Sequence, residues 1–183
     1  MVYAGFWRRI AATLIDVLIF FVFAYPSAAL AVAMHLPYLV FALIALLIGA
    51  WYEIHIVRKY GGTIGKLVVG IRIVMLNGEN ATLYAAFKRY VITLTFAILT
   101  YIAYLLAILS TDEGLFSGLG ELDRKKLIAL APSWYGLVES FGQIWIWSEF
   151  ITMLFNKKRR AIHDFMGGTV VIRTEKPVAS ESV

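Results

Sequence analysis

The stretch Tyr90-Val91-Ile92-Thr93-Leu94-Thr95-Phe96-Ala97-Ile98-Leu99-Thr100-Tyr101-Ile102-Ala103-Tyr104-Leu105-Leu106-Ala107-Ile108-Leu109-Ser110 contains no Asp, Glu, Lys or Arg. As a helix it is long enough to cross the hydrocarbon core of a bilayer, which takes about 20 residues. Two further apolar runs precede it, Ile10 to Met34 and Pro37 to Val57. A fourth, Ser133 to Phe155, follows and is more polar, because it carries Glu139, Gln143 and Glu149. The expected fold is therefore an all-α integral membrane bundle of about four transmembrane helices.

Composition agrees. Of 183 residues, 61% are hydrophobic and only 16% charged. A soluble domain has about 25% charged residues, and a core of this size cannot hide such an apolar excess. The net charge is +5, but the bases flank apolar runs, which points to membrane topology rather than to nucleic acid. The absence of cysteine excludes disulfides, thiol catalysis and thiolate metal sites.

The first run has basic residues ahead of it, as a signal peptide would. It is longer than a usual signal core and holds Asp16, so an uncleaved helix is expected. Pro26 should kink or break it. Only His35-Leu36-Pro37 separates it from the second run, which makes the two an antiparallel hairpin.

Fourteen of the seventeen lysines and arginines lie in the amino terminus, in the loop from Arg58 to Arg89, or in the tail after Phe155. The other three, Arg124, Lys125 and Lys126, share a loop with Asp112, Glu113, Glu121 and Asp123. By the positive-inside rule both termini and the 58–89 loop face the cytoplasm. Trp7, Trp51, Tyr52, Trp134 and Tyr135 fall near the predicted membrane edges, where aromatic belts sit.

The 58–89 loop has its own pattern. Lys66 to Met75 is rich in Val and Ile, then Asn77-Gly78 precedes Glu79-Asn80-Ala81-Thr82-Leu83. Asn-Gly between apolar stretches signals a hairpin, so two short strands are expected, with Thr169 to Arg173 as a third beside them in a small cytoplasmic sheet. The tail 176–183 is expected to be disordered, leaving 1–175 as one domain.

Several segments together resemble the RDD family of membrane proteins. They are Gly5-Phe6-Trp7-Arg8-Arg9-Ile10-Ala11-Ala12-Thr13-Leu14-Ile15-Asp16, Gly62-Thr63-Ile64-Gly65-Lys66 with Gly70-Ile71-Arg72-Ile73-Val74, and Arg159-Arg160-Ala161-Ile162-His163-Asp164 with Gly168-Thr169-Val170-Val171. The resemblance spans about Gly5 to Arg173 and maps the family's one arginine and two aspartates onto Arg9, Asp16 and Asp164. The stretch from Thr111 to Arg124 and the polar fourth run have no counterpart in that pattern. The resemblance implies a protein of the bacterial or archaeal cytoplasmic membrane. It also implies one of two roles: monovalent cation/proton antiport, or partnership in a membrane assembly.

Candidate functional residues follow from the cost of polarity in lipid. Arg9 and Asp16 are seven apart, on one helix face and about 10 Å apart along the axis. A charged carboxylate inside a bilayer must be protonated, paired or wet. Asp16 is thus either a proton- or cation-exchanging group or a pin that orders the bundle. Glu139 and Gln143 share a face of the fourth run, with Glu149 in the same half. With Asp16 they would line a polar pathway, unless the run is interfacial. Glu53 lies shallow, within reach of water or Arg58, and on the opposite side from His55.

Lys157, Lys158, Arg159 and Arg160 form a topology signal that would also attract anionic lipid headgroups, at about 1 kcal/mol per base. Asp164 either gates the cytoplasmic mouth by accepting from Arg9 or the central loop, or holds a helix-ending turn.

Enzyme signatures fail. Around Gly65-Lys66, Tyr60 and Leu67 stand where a phosphate loop needs glycine and a hydroxyl. His35, His55 and His163 are isolated, so neither metal nor cofactor is expected, and no nucleophile and base converge. The leading expectation is a small-ion transporter, a monovalent cation/proton exchanger working alone or as a homo-oligomer. The rival is a non-transporting scaffold that recruits or stabilises a membrane-protein partner.

Overall fold

The structure, a computed structural model, describes residues 1–33, 38–110 and 128–174. It is mostly helical with a small two-stranded sheet. Helix α1 spans Phe6–Ala33 and runs on through Pro26 without a break. Helix α2 (Tyr38–Trp51) passes into a π-helical turn, Tyr52–Ile56, and then into α3, Val57–Tyr60. Gly61 ends α3 in the left-handed conformation, φ 80°, which glycine adopts without steric penalty. A short α4 (Ile64–Val68) leads to β1 (Ile71–Met75). Helix α5 spans Leu83–Leu109, α6 Tyr135–Leu154 and α7 Ile162–Gly167, and β2 is Thr169–Arg173.

Among the described residues, two helical stretches are long and apolar enough to cross a membrane, Leu39–Val68 and Leu83–Leu109. Only 11% and 17% of their most apolar windows are buried. The core helices of a soluble protein would show the reverse. The first and fourth apolar runs are helical too, as α1 and α6. The 35–37 connection, the acidic stretch 111–127 and the tail beyond 174 lie outside the described residues.

The expected hairpin across Asn77-Gly78 takes a different form. Only an isolated bridge, Val74 to Asn80, survives from it. The reason is local: Thr82 caps a helix, its Oγ1 accepting from Ala85 N–H at 3.1 Å and its carbonyl accepting from Ala86 N–H at 2.9 Å. The third apolar run therefore becomes helical at Leu83 rather than Tyr90, and the loop ends earlier than Arg89. Strand β1 instead pairs antiparallel with β2, from Ile71 opposite Arg173 to Met75 opposite Thr169. The third β-branched run thus does join the sheet, as the main partner. The amino terminus adds a rung on the far side of β2: Ala4 N–H donates to Val171 O and Arg173 N–H to Val2 O, both at 2.9 Å.

The chain forms two compact units. The first comprises Met1–Leu18, Tyr52–Arg89 and Ser148 onward. Its core is Ala4, Ala12, Val57, Ile71, Ile73, Ala81, Ala86 and Val171. Half of these are alanines, whose small side chains let backbones approach closely.

The second unit comprises Ile19–Trp51 and Tyr90–Trp147. Among its described residues the one Asp, Glu, Lys or Arg is Glu139. Ala103, Ala107 and Tyr135 are buried there. The Tyr104 and Tyr135 hydroxyls lie 3.0 Å apart, and Trp145 Nε1 donates to Thr93 Oγ1 at 3.3 Å. Tyr135, expected near a membrane edge, is packed within the unit.

Candidate functional site

The first unit holds two polar clusters, and each is built around one of the two aspartates singled out in the sequence. Asp164 is wholly buried. It occupies the first turn of α7 and its Oδ2 accepts from Ala161 N–H at 2.9 Å, which ties the carboxylate to the start of that helix. The same oxygen accepts from Arg9 Nη1 of α1 at 2.7 Å. Its Oδ1 meets Arg89 Nη1 of α5, which also contacts Thr169 Oγ1 of β2. One carboxylate thus joins α1, α5, α7 and β2.

Burial alone would raise the Asp164 carboxyl. The fields of Arg89, then His163 and Arg9, override that and hold it well below the usual carboxylate range. Arg9 continues the lattice, donating from Nη2 to Arg159 O at 2.7 Å. Arg160 Nη2 donates to Asp164 O at 3.1 Å, and the Arg160 guanidinium lies 4.0 Å from the Phe165 ring centroid.

Close packing makes this junction possible. At Gly167 an added Cβ would stand 2.7 Å from Arg89 Cγ and 2.9 Å from Ala85 O. Only glycine lets the end of α7 lie that near α5.

Asp16 forms the second cluster. Its Oδ1 accepts from Tyr52 Oη and from Gly65 N–H, each at 2.8 Å, and its Oδ2 accepts from Thr63 Oγ1 at 2.6 Å. Tyr52 Oη in turn accepts from Ile64 N–H at 2.8 Å. The carboxylate therefore fastens the Gly62-Thr63-Ile64-Gly65-Lys66 turn to α1. The π-helical turn supplies Tyr52; the extra residue it inserts in the helix turn shifts the side chains that follow. At Gly65 a Cβ would stand 2.2 Å from Ala12 O.

Arg9 and Asp16 share a helix, but the structure gives them different partners; Asp164, expected to accept from Arg9 or from the 58–89 loop, meets both, the loop through Arg89. The sequence shows Arg89 beside Lys88, where both read as loop bases.

A third group adjoins the Asp164 cluster. His163 Nδ1 contacts the Glu149 carboxylate of α6, and His163 Nε2 lies 3.6 Å from Asp164 Oδ1. Both side chains of the His163–Glu149 pair are partly exposed. Of the other residues expected to matter, Glu53 is half-buried in the π-helical turn. Glu139 and Gln143 share an exposed face of α6 in the second unit. Lys157, Lys158 and Arg159 are exposed, and Arg160 is half-buried. Among the described residues, no group of three or more His, Asp or Glu is arranged to hold a metal ion.

No curated protein and no solved structure matches this chain. The RDD family model matches residues 3–168, a range that takes in Arg9, Asp16, Asp164 and the loop that Asp16 fastens, and the chain belongs to the RDD family.

Proposed function

We propose that this chain is a small-ion transporter of the cytoplasmic membrane that exchanges a monovalent cation for protons, with the Glu149–His163 pair as its proton-carrying group. The observation that carries this reading is the row Glu149–His163–Asp164. Imidazole both accepts and donates a proton, and chains of Asp, Glu and His inside membrane proteins serve as proton relays. Here the pair is partly exposed, while Asp164 behind it is fixed as an anion between two arginines. A proton can therefore load on the pair without dismantling the fold.

Asp16 has the opposite character. Both its oxygens already accept hydrogen bonds from the chain, so its role in this reading is to pin the 62–66 turn.

In the same reading α1, α2 with its π-helical continuation, α5 and α6 all span the bilayer. The distribution of charge supports this. The first unit holds the described bases, and among the described residues the second holds no lysine or arginine. The positive-inside rule then puts both termini on the cytoplasmic side.

Proteoliposomes with a pH dye inside test the proposal. A Na⁺, K⁺ or Li⁺ gradient should drive proton flux through the wild type. Glu149→Gln and His163→Gln should abolish it, and Asp16→Asn should retain it per folded molecule. Absence of flux with all three ions would remove transport as the function. Flux that survives both Glu149→Gln and His163→Gln would place the exchanging group elsewhere.

A second reading is favoured by the internal bonding of Asp16 and Asp164, whose carboxylate oxygens all meet donors of the chain itself. The chain would then be a scaffold that presents a rigid first unit to a membrane partner. A stoichiometric partner retained in gentle detergent, together with no cation-driven flux, is its signature.

A further inference from the structure

Where the start of α1 meets the end of α6 and the end of β2, the first unit contains a cavity of about 520 Å³. Arg8, Lys157, Arg159 and Arg173 line it, and among the described residues no carboxylate does. The remaining wall is largely apolar, with Phe6, Trp7, Met153 and Leu154. Four cations around one hollow repel one another. Without an anion, such an arrangement is electrostatically unfavourable.

Two features show that the hollow is held in shape by the fold. Arg159 has φ 49°, a left-handed conformation uncommon outside glycine. It is fixed on both sides: its N–H donates to Asn156 O at 2.9 Å, and its carbonyl accepts from Arg9 Nη2 at 2.7 Å. Asn156 closes the same turn through Arg160, accepting from its N–H at 2.9 Å and donating to its carbonyl at 2.6 Å. Gly5 then leaves room for the guanidinium. An added Cβ there would stand 2.8 Å from Arg159 Nη1. Strained backbone held by its surroundings is characteristic of ligand-binding positions.

We infer that this cavity binds the phosphate group of an anionic phospholipid. Guanidinium and ammonium groups satisfy phosphate oxygens with charge-assisted hydrogen bonds. The apolar wall selects a lipid over free phosphate. Trp7 is 78% exposed, Leu154 62% and neighbouring Phe155 84%. Together they offer a surface for the glycerol and the first acyl carbons beside the headgroup. The bases after Phe155 thus do more than mark topology: Lys157 and Arg159 enter a defined pocket, and Lys158 does not. This inference is independent of proton exchange.

The test takes the full chain from phosphatidylcholine vesicles doped with phosphatidylglycerol and counts retained lipid by native mass spectrometry. Wild type should retain phosphatidylglycerol in preference to phosphatidylcholine. Arg159→Gln and Lys157→Gln should each lower that preference about fivefold, the factor that corresponds to about 1 kcal/mol per base. Lys158→Gln makes the same change in charge one residue away and should leave the preference unchanged. An equal loss in Lys158→Gln would show diffuse attraction and overturn the pocket. No preference in the wild type would overturn it too. Displacement of the lipid by millimolar inorganic phosphate would overturn the assignment to a phospholipid in favour of the free anion.

Discussion

Arg9 and Asp164 stand 155 positions apart in the chain and meet in a 2.7 Å ion pair, with Asp164 entirely shielded from solvent. The contact closes the first unit from its two ends. Because Arg89 shares the same carboxylate, Asp164 compensates two cations at once. The three groups therefore stand or fall together.

Asp164→Asn should destabilise the protein by about 3–5 kcal/mol, because it strands two buried guanidinium groups. Arg9→Gln should do less damage, since Arg89 remains to balance the carboxylate. Thermal unfolding in mild detergent ranks the two variants. A ranking with Arg9→Gln as the more harmful would mean that Asp164 is not the hub.

The depressed Asp164 carboxyl also fixes the sign of a pH effect. In the unfolded chain the group titrates near its ordinary value of 3.8, and in the folded chain well below it. Its contribution is therefore complete above about pH 5 and is lost as pH falls through 3.8 toward the folded value. Arg9, Arg89, Arg160 and His163 are the charged or titratable groups around it. Wild type should lose stability on acidification from pH 5 to 3 more steeply than Asp164→Asn does. Parallel profiles would sink this assignment.

How much of this was legible in the sequence depended on how local the signal was. The uncharged run around Tyr90 and the β-branched run Thr169 to Arg173 declared their structure, since length and side-chain type decide them. The Asn77-Gly78 turn led to a strand over 79–83, where Thr82 instead caps a helix that starts at Leu83. A bond from Arg9 to Asp164 was one of the alternatives open in the sequence, beside the 58–89 loop and a helix-ending turn, and distance in the chain left the choice undecided. Arg89 had no distinguishing mark, because its role comes from the approach of α7 across Gly167. The π-helical turn that supplies Tyr52 to Asp16 was likewise silent.

Glycine positions give a sharper contrast. Gly65→Ala would push Cβ to 2.2 Å from Ala12 O and 2.8 Å from Asp16 Cγ. The obstruction is backbone, which does not yield by a rotamer change, so a loss of about 1–3 kcal/mol or more is expected. Gly136→Ala, near the start of α6, meets nothing within 4 Å and should be neutral or stabilising by up to about 1 kcal/mol through helix propensity. Melting temperatures of the two variants, purified alike, decide the point. Equal tolerance would mean that the Ala12–Gly65 approach is not a native contact.

Thr63 separates a pin from an exchanging site. It is fully buried and donates to Asp16 Oδ2 at 2.6 Å. Thr63→Val keeps the shape and removes the donor, leaving a carboxylate oxygen unpaired, at a cost of about 1–3 kcal/mol. Thr63→Ser keeps the hydroxyl and should cost less. Because Thr63 and Asp16 act through one bond, the double variant Thr63→Val with Asp16→Asn should be less harmful than the sum of the singles. If Asp16 only fastens the turn, the folded fraction of each variant should carry wild-type cation-driven flux. A change in flux per folded molecule, with stability intact in Thr63→Ser, would return Asp16 to the ion pathway.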